Sequence, residues 1–219
     1  MSRSRWATIR ASSPTSAPRI ACLSLSFEPN YCYASLIELD IRMHPNLARL
    51  VDLAGMAIES EDRQILEATA ANPTAKLRRG GGILRFNNER FYQFIVAKSL
   101  LSMPYKVIVE VDFHDLVLEE PDTGKRFAVV EMKRWMSASG ERELPGIRTD
   151  MFKKLQNASA THKLILLFSA NPPGQMHEQI NWLLAKLNLP LDRWSSYCFT
   201  TSDQNNAAVE FWIAGFEFM

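Results

Sequence analysis

Residues 114–135 read HDLVLEEPDTGKRFAVVEMKRW, and they carry the clearest structural pattern in the chain. Short apolar runs at residues 116–118 and 127–130 predict two β-strands, over residues 114–119 and 127–135. Between them, Pro121-Asp122-Thr123-Gly124 has the composition of a tight turn. The segment therefore predicts an antiparallel hairpin.

The predicted hairpin also sets which side chains face each other. Opposed residues in an antiparallel hairpin have a constant sum of residue numbers, and a turn centred near Asp122 and Thr123 gives a sum of about 245 or 246. Asp115 and Glu131 match this sum, so we expect them to face each other or to miss by one step. Lys133 shares a sheet face with Glu131, because side chains alternate between faces along a strand.

Two alternatives to this arrangement stay open. Asp112 is a rival first acid that fits the register less well, and Glu110 fits less well still. The charges can also form a cross-strand ladder on a solvated face. Against a ladder, Val129 and Val130 indicate a strand that is buried on both sides, where unpaired charge is costly.

The segments outside this hairpin alternate between helical and strand patterns. We predict helices over residues 46–58, 61–71, 88–101, 149–158 and 176–187, and further strands over residues 106–111, 163–169, 197–200 and 209–218. Asn87 or Asn88 can cap the third of these helices. This order predicts an α/β protein with a mixed central sheet flanked by helices.

Composition narrows the class of protein further. The 219 residues include 25 basic and 24 acidic ones, for a net charge of +1, and 47% are hydrophobic. These values exclude a highly charged disordered chain and give no global electrostatic attraction to nucleic acid or membrane. The apolar run at residues 164–168 is far too short to span a bilayer, so we expect no membrane partner.

The three cysteines (Cys22, Cys32 and Cys198) are odd in number and form no C-x-x-C motif. They suggest reduced thiols in a cytoplasmic setting. Residues 1–27 contain four arginines and no acid. We interpret residues 1–42 as an extension, which is a flexible tail, an organellar presequence or the result of a start assigned upstream of Met43. Residues 43–219 are then one α/β domain.

The opposed carboxylates carry the chemical argument. Asp115 and Glu131 would repel each other unless a cation lies between them, and a hard divalent ion with oxygen ligands answers this need. Lys133 beside them can orient water and stabilise developing charge. Two acids, a metal ion and a lysine are suited to hydrolysis of phosphodiesters.

This arrangement resembles the PD-(D/E)xK nuclease superfamily and its restriction-endonuclease-like αβββαβ core, here over about residues 85–170, with N-terminal helices and extra C-terminal strands outside it. The resemblance implies that Asp115 and Glu131 are the two acids of the motif and that Lys133 is its catalytic lysine. Glu89, in the first turn of the preceding helix, is implied as a further metal ligand, although helix dipoles favour acids there in any case. His114 departs from the motif, because it stands where a proline often precedes the first acid.

The resemblance also implies a polar contribution from the helix after the motif. Lys153, Lys154 and Gln156 are the candidates for contact with nucleic acid, and the alternative is a solvated helix face. Arg78 and Arg79 precede three glycines and can approach a phosphate backbone closely. The alternative for these two arginines is a flexible linker.

The expected function is a nuclease that depends on Mg²⁺ or Mn²⁺ and acts on DNA. Two alternatives remain: a catalytically silent nuclease-fold protein that binds nucleic acid or a partner protein, and an RNA-processing nuclease. Because no separate recognition domain is evident, a homodimer or a partner protein would have to supply tight sequence specificity.

Overall fold

The computed structural model describes residues 46–72, 82–86, 88–135, 137, 139–189, 193–203, 205 and 207–218. Contacts between residues divide the chain into one unit of residues 1–43 and another of residues 44–219. Every described residue belongs to the second unit. Arg78 and Arg79 lie outside the described residues, as does the predicted extension.

The described residues form four α-helices and six β-strands. The helices are α1 (Leu47–Ala71), α2 (Glu89–Leu100), α3 (Leu144–Thr149) and α4 (Met176–Leu187). A 3₁₀ turn, Ile83–Phe86, precedes α2, and α3 continues as a π-helical turn, Asp150–Lys154, and a second 3₁₀ turn, Leu155–Asn157. The strands are β1 (Lys106–Val111), β2 (His114–Glu119), β3 (Arg126–Trp135), β4 (His162–Asn171), β5 (Trp194–Ser202) and β6 (Ala208–Phe218).

The strands make one mixed sheet in the order β1-β2-β3-β4-β6-β5. The β3–β4 pair is parallel and the other pairs are antiparallel. The helix between β3 and β4 supplies the crossover that a parallel pair requires. The predicted mixed α/β class is therefore confirmed.

Each face of the sheet carries its own apolar core. Buried residues of α1 and α2 pack with one set of strand residues, including Leu116 and Val130. Buried residues from α3 through the second 3₁₀ turn, together with those of α4, pack with the alternate set, including Val117 and Val129. This two-sided burial explains why β3 reads as a nearly continuous apolar run.

The predicted hairpin register is also confirmed. Leu116 pairs with Val130 and Val117 with Val129, which keeps the residue-number sum expected from the turn. The paired positions end at Leu116 and Val130, and the residues next to them, Asp115 and Glu131, lie at the end of this ladder.

The first helical region differs from the prediction, because α1 is one continuous helix through residue 71. Two helices were predicted, over residues 46–58 and 61–71, but neither glycine nor proline interrupts the helix between them. Continuing the helix also delivers Asp62 to a buried position, where its carboxylate accepts hydrogen bonds from Ile83 and Thr201.

The helix after β3 begins five residues earlier than the predicted start at residue 149. Pro145 lies in the first turn of α3, where a missing N–H leaves no hydrogen bond unmade. Among the described residues, no helix is both long enough and apolar enough to cross a membrane.

Candidate active site

Asp115 is fixed at the start of β2 by two neighbouring elements. Its carboxylate Oδ2 accepts a hydrogen bond of 2.6 Å from the main-chain N–H of Met132 in β3. Its main-chain oxygen accepts one of 2.7 Å from the side-chain amide of Gln93 in α2. The carboxylate is thus held beside β3 just where the β2–β3 ladder ends.

Glu131 is fully buried and carries two basic partners. Its Oε1 lies 2.7 Å from Nδ1 of His114, and its Oε2 accepts a hydrogen bond of 2.8 Å from the Lys154 ammonium. Burial raises the pKa of Glu131 and outweighs the opposite effect of these two partners, and the charge of Asp115 raises it further. The ionised carboxylate therefore depends on nearby positive charge.

A second buried acid, Asp150, lies between two lysines. Its Oδ2 is 2.8 Å from Nζ of Lys133, and its Oδ1 is 3.0 Å from Nζ of Lys154. Burial lowers the pKa of Lys133, but the hydrogen bond and charge of Asp150 outweigh that effect and the net shift is upward. Glu131 and Asp150 together likewise raise the pKa of Lys154. The two lysines are thus held as ammonium groups.

The π-helical turn explains how Asp150 and Lys154 reach the same cluster. They are its first and last residues, and both side chains turn toward β3. The neighbouring residue Lys153 is exposed. Isolated π turns inside helices are rare and recur at functional sites, which agrees with the placement of two charged site residues here.

Glu89 approaches the cluster from the N-terminus of α2. Asn88 caps this helix by accepting a hydrogen bond from the N–H of Arg90. One carboxylate oxygen of Glu89 accepts a hydrogen bond of 3.3 Å from the N–H of Arg134. Burial raises the pKa of Glu89, Lys133 lowers it and Asp115 raises it, so the carboxylate is within electrostatic reach of both residues.

A polar cleft opens beside Glu89. It has a volume of about 450 Å³, and its lining residues are Asn88, Glu89, Arg134, Arg142 and Glu143. The loop that presents Arg142 is tied down, because Glu143 accepts hydrogen bonds from both the N–H and the hydroxyl of Ser137. Two cations and two acids line the cleft, and one of these acids is the candidate site residue Glu89.

The other predicted site residues divide into two groups. Lys154 joins the cluster, whereas Lys153 and Gln156 are exposed on the far side of their turn. The rival acids Asp112 and Glu110 form ion pairs with Arg126 and Arg90, respectively, and not with Glu131.

Asp150 and the contact of His114 with Glu131 were not predicted from the sequence. No sequence signal marked Asp150, because its approach to Lys133 depends on the π turn. His114 did carry a signal, since it replaces the proline of the motif that the hairpin resembles.

The carboxylates of this cluster bear on whether a magnesium or manganese ion can bind here. Within the described part of the chain, no three His, Cys, Asp or Glu residues group closely enough to hold a metal ion. Mg²⁺, however, is commonly held by one or two carboxylates, with water and substrate phosphate completing its shell. Asp115 raises the pKa of both Glu131 and Glu89, so its charge repels each of these acids. Carboxylate oxygens and the repulsion between these acids are both features that suit a bound divalent ion.

Comparison of the chain with models of protein families, with curated proteins and with solved structures finds no match.

Proposed function

We propose that the chain is a metal-dependent nuclease with a restriction-endonuclease-like core and a PD-(D/E)xK site that hydrolyses phosphodiester bonds in DNA. The observation that carries this proposal is the shared electrostatic cluster of Glu89, Asp115, Glu131 and Lys133. These residues come from α2, β2 and β3. A solvated charge ladder does not account for the complete burial of Glu131.

The order of elements supports the same proposal. From α2 through β4, the chain runs helix, three strands, helix, strand, and β4 lies parallel to β3. This is the order expected of an αβββαβ core. Asp115 and Glu131, the two acids that the resemblance implies, then lie on the neighbouring strands β2 and β3.

Asp115 and Glu131 would hold Mg²⁺ or Mn²⁺, with water and substrate phosphate completing its shell, and the bound ion would supply positive charge against the phosphate. The ammonium of Lys133 positions the water that attacks phosphorus in line with the leaving oxygen. A new bond forms between the water oxygen and phosphorus, and the bond to the leaving oxygen breaks. The proton of the attacking water passes to solvent, and the leaving oxygen takes up a proton from solvent. Asp150 orients Lys133 and keeps it charged throughout.

One observation favours the alternative of a catalytically silent binding protein. Both oxygens of Glu131 already have basic partners, so the buried carboxylate is compensated without a metal ion. A metal ion would have to compete with Lys154 and His114 for these oxygens. Binding of nucleic acid without turnover is the behaviour that this alternative predicts.

The test is a cleavage panel with purified protein. Supercoiled, linear and single-stranded DNA and RNA are each incubated with EDTA, Mg²⁺, Mn²⁺ or Ca²⁺. We expect DNA cleavage with Mg²⁺ or Mn²⁺ and none with EDTA. Cleavage of RNA alone would replace the DNA proposal with the RNA-processing one, and binding without cleavage in every metal would support the silent protein.

A further inference from the structure

The turn between β1 and β2 has an unfavourable backbone. Among the described residues, four non-glycine residues have positive φ angles, and three of them lie at or beside this turn: Glu110 at 52° near the end of β1, and Asp112 at 51° and Phe113 at 69° in the turn itself. A bulky residue such as phenylalanine is rarely found in the left-handed region, because its Cβ crowds the backbone. Val111 pairs with His114, so Asp112 and Phe113 form a two-residue hairpin turn, whose usual geometry has positive φ at both central residues and favours glycine or asparagine there. Phenylalanine is therefore an unusual residue for this turn.

The side chain of Phe113 is also unusually exposed. Its relative exposure is 92%, the highest among the large hydrophobic residues that the structure describes, and Leu101 follows at 69%. An aromatic ring normally offsets an unfavourable backbone by burying its faces. Phe113 gains no such burial within the chain, so packing does not account for this residue at this position.

The position of Phe113 in the chain connects it to the candidate site. It directly precedes His114, whose ring contacts Glu131, and it lies two residues before Asp115. A flat, exposed aromatic ring therefore lies at the same end of β2 as the site carboxylates.

We propose that Phe113 stacks on an unpaired nucleobase of the DNA strand that enters the site. This inference rests on the proposed function for its substrate, but it concerns recognition rather than cleavage. Aromatic side chains bind bases by stacking regardless of sequence, because every base has a π-face. A base within a duplex already has both faces covered by its neighbours. The preferred substrate is therefore DNA with an unstacked base beside the cleaved bond.

The inference is tested by DNA binding in EDTA, where cleavage does not interfere. Fluorescence anisotropy measures the Kd of a labelled single strand and of its fully paired duplex for wild type, Phe113→Gly and Phe113→Trp. We expect Phe113→Gly to weaken single-strand binding roughly tenfold, and to weaken duplex binding much less. Phe113→Trp keeps the aromatic face and should bind the single strand like wild type.

Thermal unfolding separates a lost contact from a damaged fold. Glycine adopts the φ of +69° without steric conflict, so Phe113→Gly should melt at the wild-type temperature or above it. The control is Leu101→Ala, which removes an exposed apolar side chain at the far end of α2 and should leave both Kd values unchanged.

Equal single-strand affinity in wild type and Phe113→Gly would overturn the inference, as would equal losses for the single strand and the duplex. The proposed function fails separately from the inference. If Phe113→Gly binds the single strand more weakly than wild type does, but wild type cuts no substrate in any metal, the stacking role stands and the nuclease proposal falls. If wild type cuts DNA and Phe113→Gly binds and cuts identically, only the stacking role falls.

Discussion

Two buried carboxylates of this protein, Asp62 and Glu131, have partners of different kinds. Asp62 is 1% exposed, and its Oδ1 accepts hydrogen bonds of 2.6 Å from the N–H of Ile83 and 2.6 Å from the hydroxyl of Thr201. Glu131 is 0% exposed, and its partners are the His114 ring and the Lys154 ammonium. The hydrogen-bond partners of Asp62 are neutral, whereas those of Glu131 are basic side chains.

The difference indicates two different roles. Asp62 joins α1 to the 3₁₀ turn and β5, and a Cβ on Gly82 would lie only 1.9 Å from its Oδ1, so no space is left for another ligand. Of the two partners of Glu131, Lys154 can swing away when a competing cation arrives, because a lysine side chain is long and rotatable. We therefore assign Asp62 to the fold and Glu131 to the site, and each prediction below tests that assignment.

The largest expected effect is on cleavage by variants of the two motif acids. Asp115→Asn and Glu131→Gln each remove a charged ligand for the metal ion, so cleavage of DNA should fall by at least about a hundredfold. The control is Asp112→Asn, which changes an exposed acid in the adjacent turn and should keep wild-type activity. Initial rates on plasmid DNA measure the effect, and unchanged rates in Glu131→Gln would remove this residue from the site.

The second prediction concerns Asp150. Asp150→Asn removes the charge that orients Lys133 and Lys154, and residues that support a catalytic group in this way typically contribute about 10–100-fold. We expect a loss of that size in kcat, with little change in KM. Asp122→Asn makes the same change at an exposed acid in the turn between β2 and β3, and it serves as the matched control. A loss in KM alone would instead mean that Asp150 acts through substrate binding.

The third prediction concerns the carboxylate assigned to the fold. Asp62→Ala leaves the buried N–H of Ile83 and the hydroxyl of Thr201 without their acceptor, which costs about 1–3 kcal/mol per buried group. The melting temperature should fall by several degrees, while cleavage per folded molecule below that temperature should stay at the wild-type rate. Calorimetry and initial rates on the same samples check this. A variant that melts normally yet fails to cut DNA would reverse the assignment.

The hairpin and its register could be predicted because their determinants are local. Turn residues 121–124 and the apolar runs on either side set which strand positions oppose each other. The choice of Asp115, Glu131 and Lys133 as site residues follows from that register. Asp150 could not be predicted, since its contact with Lys133 depends on a π turn that no local residue pattern marks. The full length of α1 was missed for a similar reason: the partner of Asp62, Thr201, is 139 residues away in sequence.

Burial adds to the repulsion that was expected between Asp115 and Glu131. Two opposed acids were expected to repel each other, and Asp115 does raise the pKa of Glu131, but burial is the larger cause. With its pKa raised, Glu131 holds its proton more tightly in the folded protein than in the unfolded chain. At neutral pH the ionised carboxylate therefore lowers the free energy of unfolding, and this cost falls away as the pH drops through the folded pKa.

This cost makes thermal unfolding of Glu131→Gln, with EDTA and with Mg²⁺, the most direct test of the assignment. In EDTA the variant loses the cost of a buried charge and should melt above wild type, by about 2–4 °C if that cost is about 1 kcal/mol. Mg²⁺ at ten times its Kd should stabilise wild type by about 1.4 kcal/mol and stabilise the variant much less. Glu217→Gln, which alters a half-exposed acid paired with His162, should respond to Mg²⁺ as wild type does. Equal Mg²⁺ shifts in wild type and Glu131→Gln would contradict a metal-binding role for this buried carboxylate.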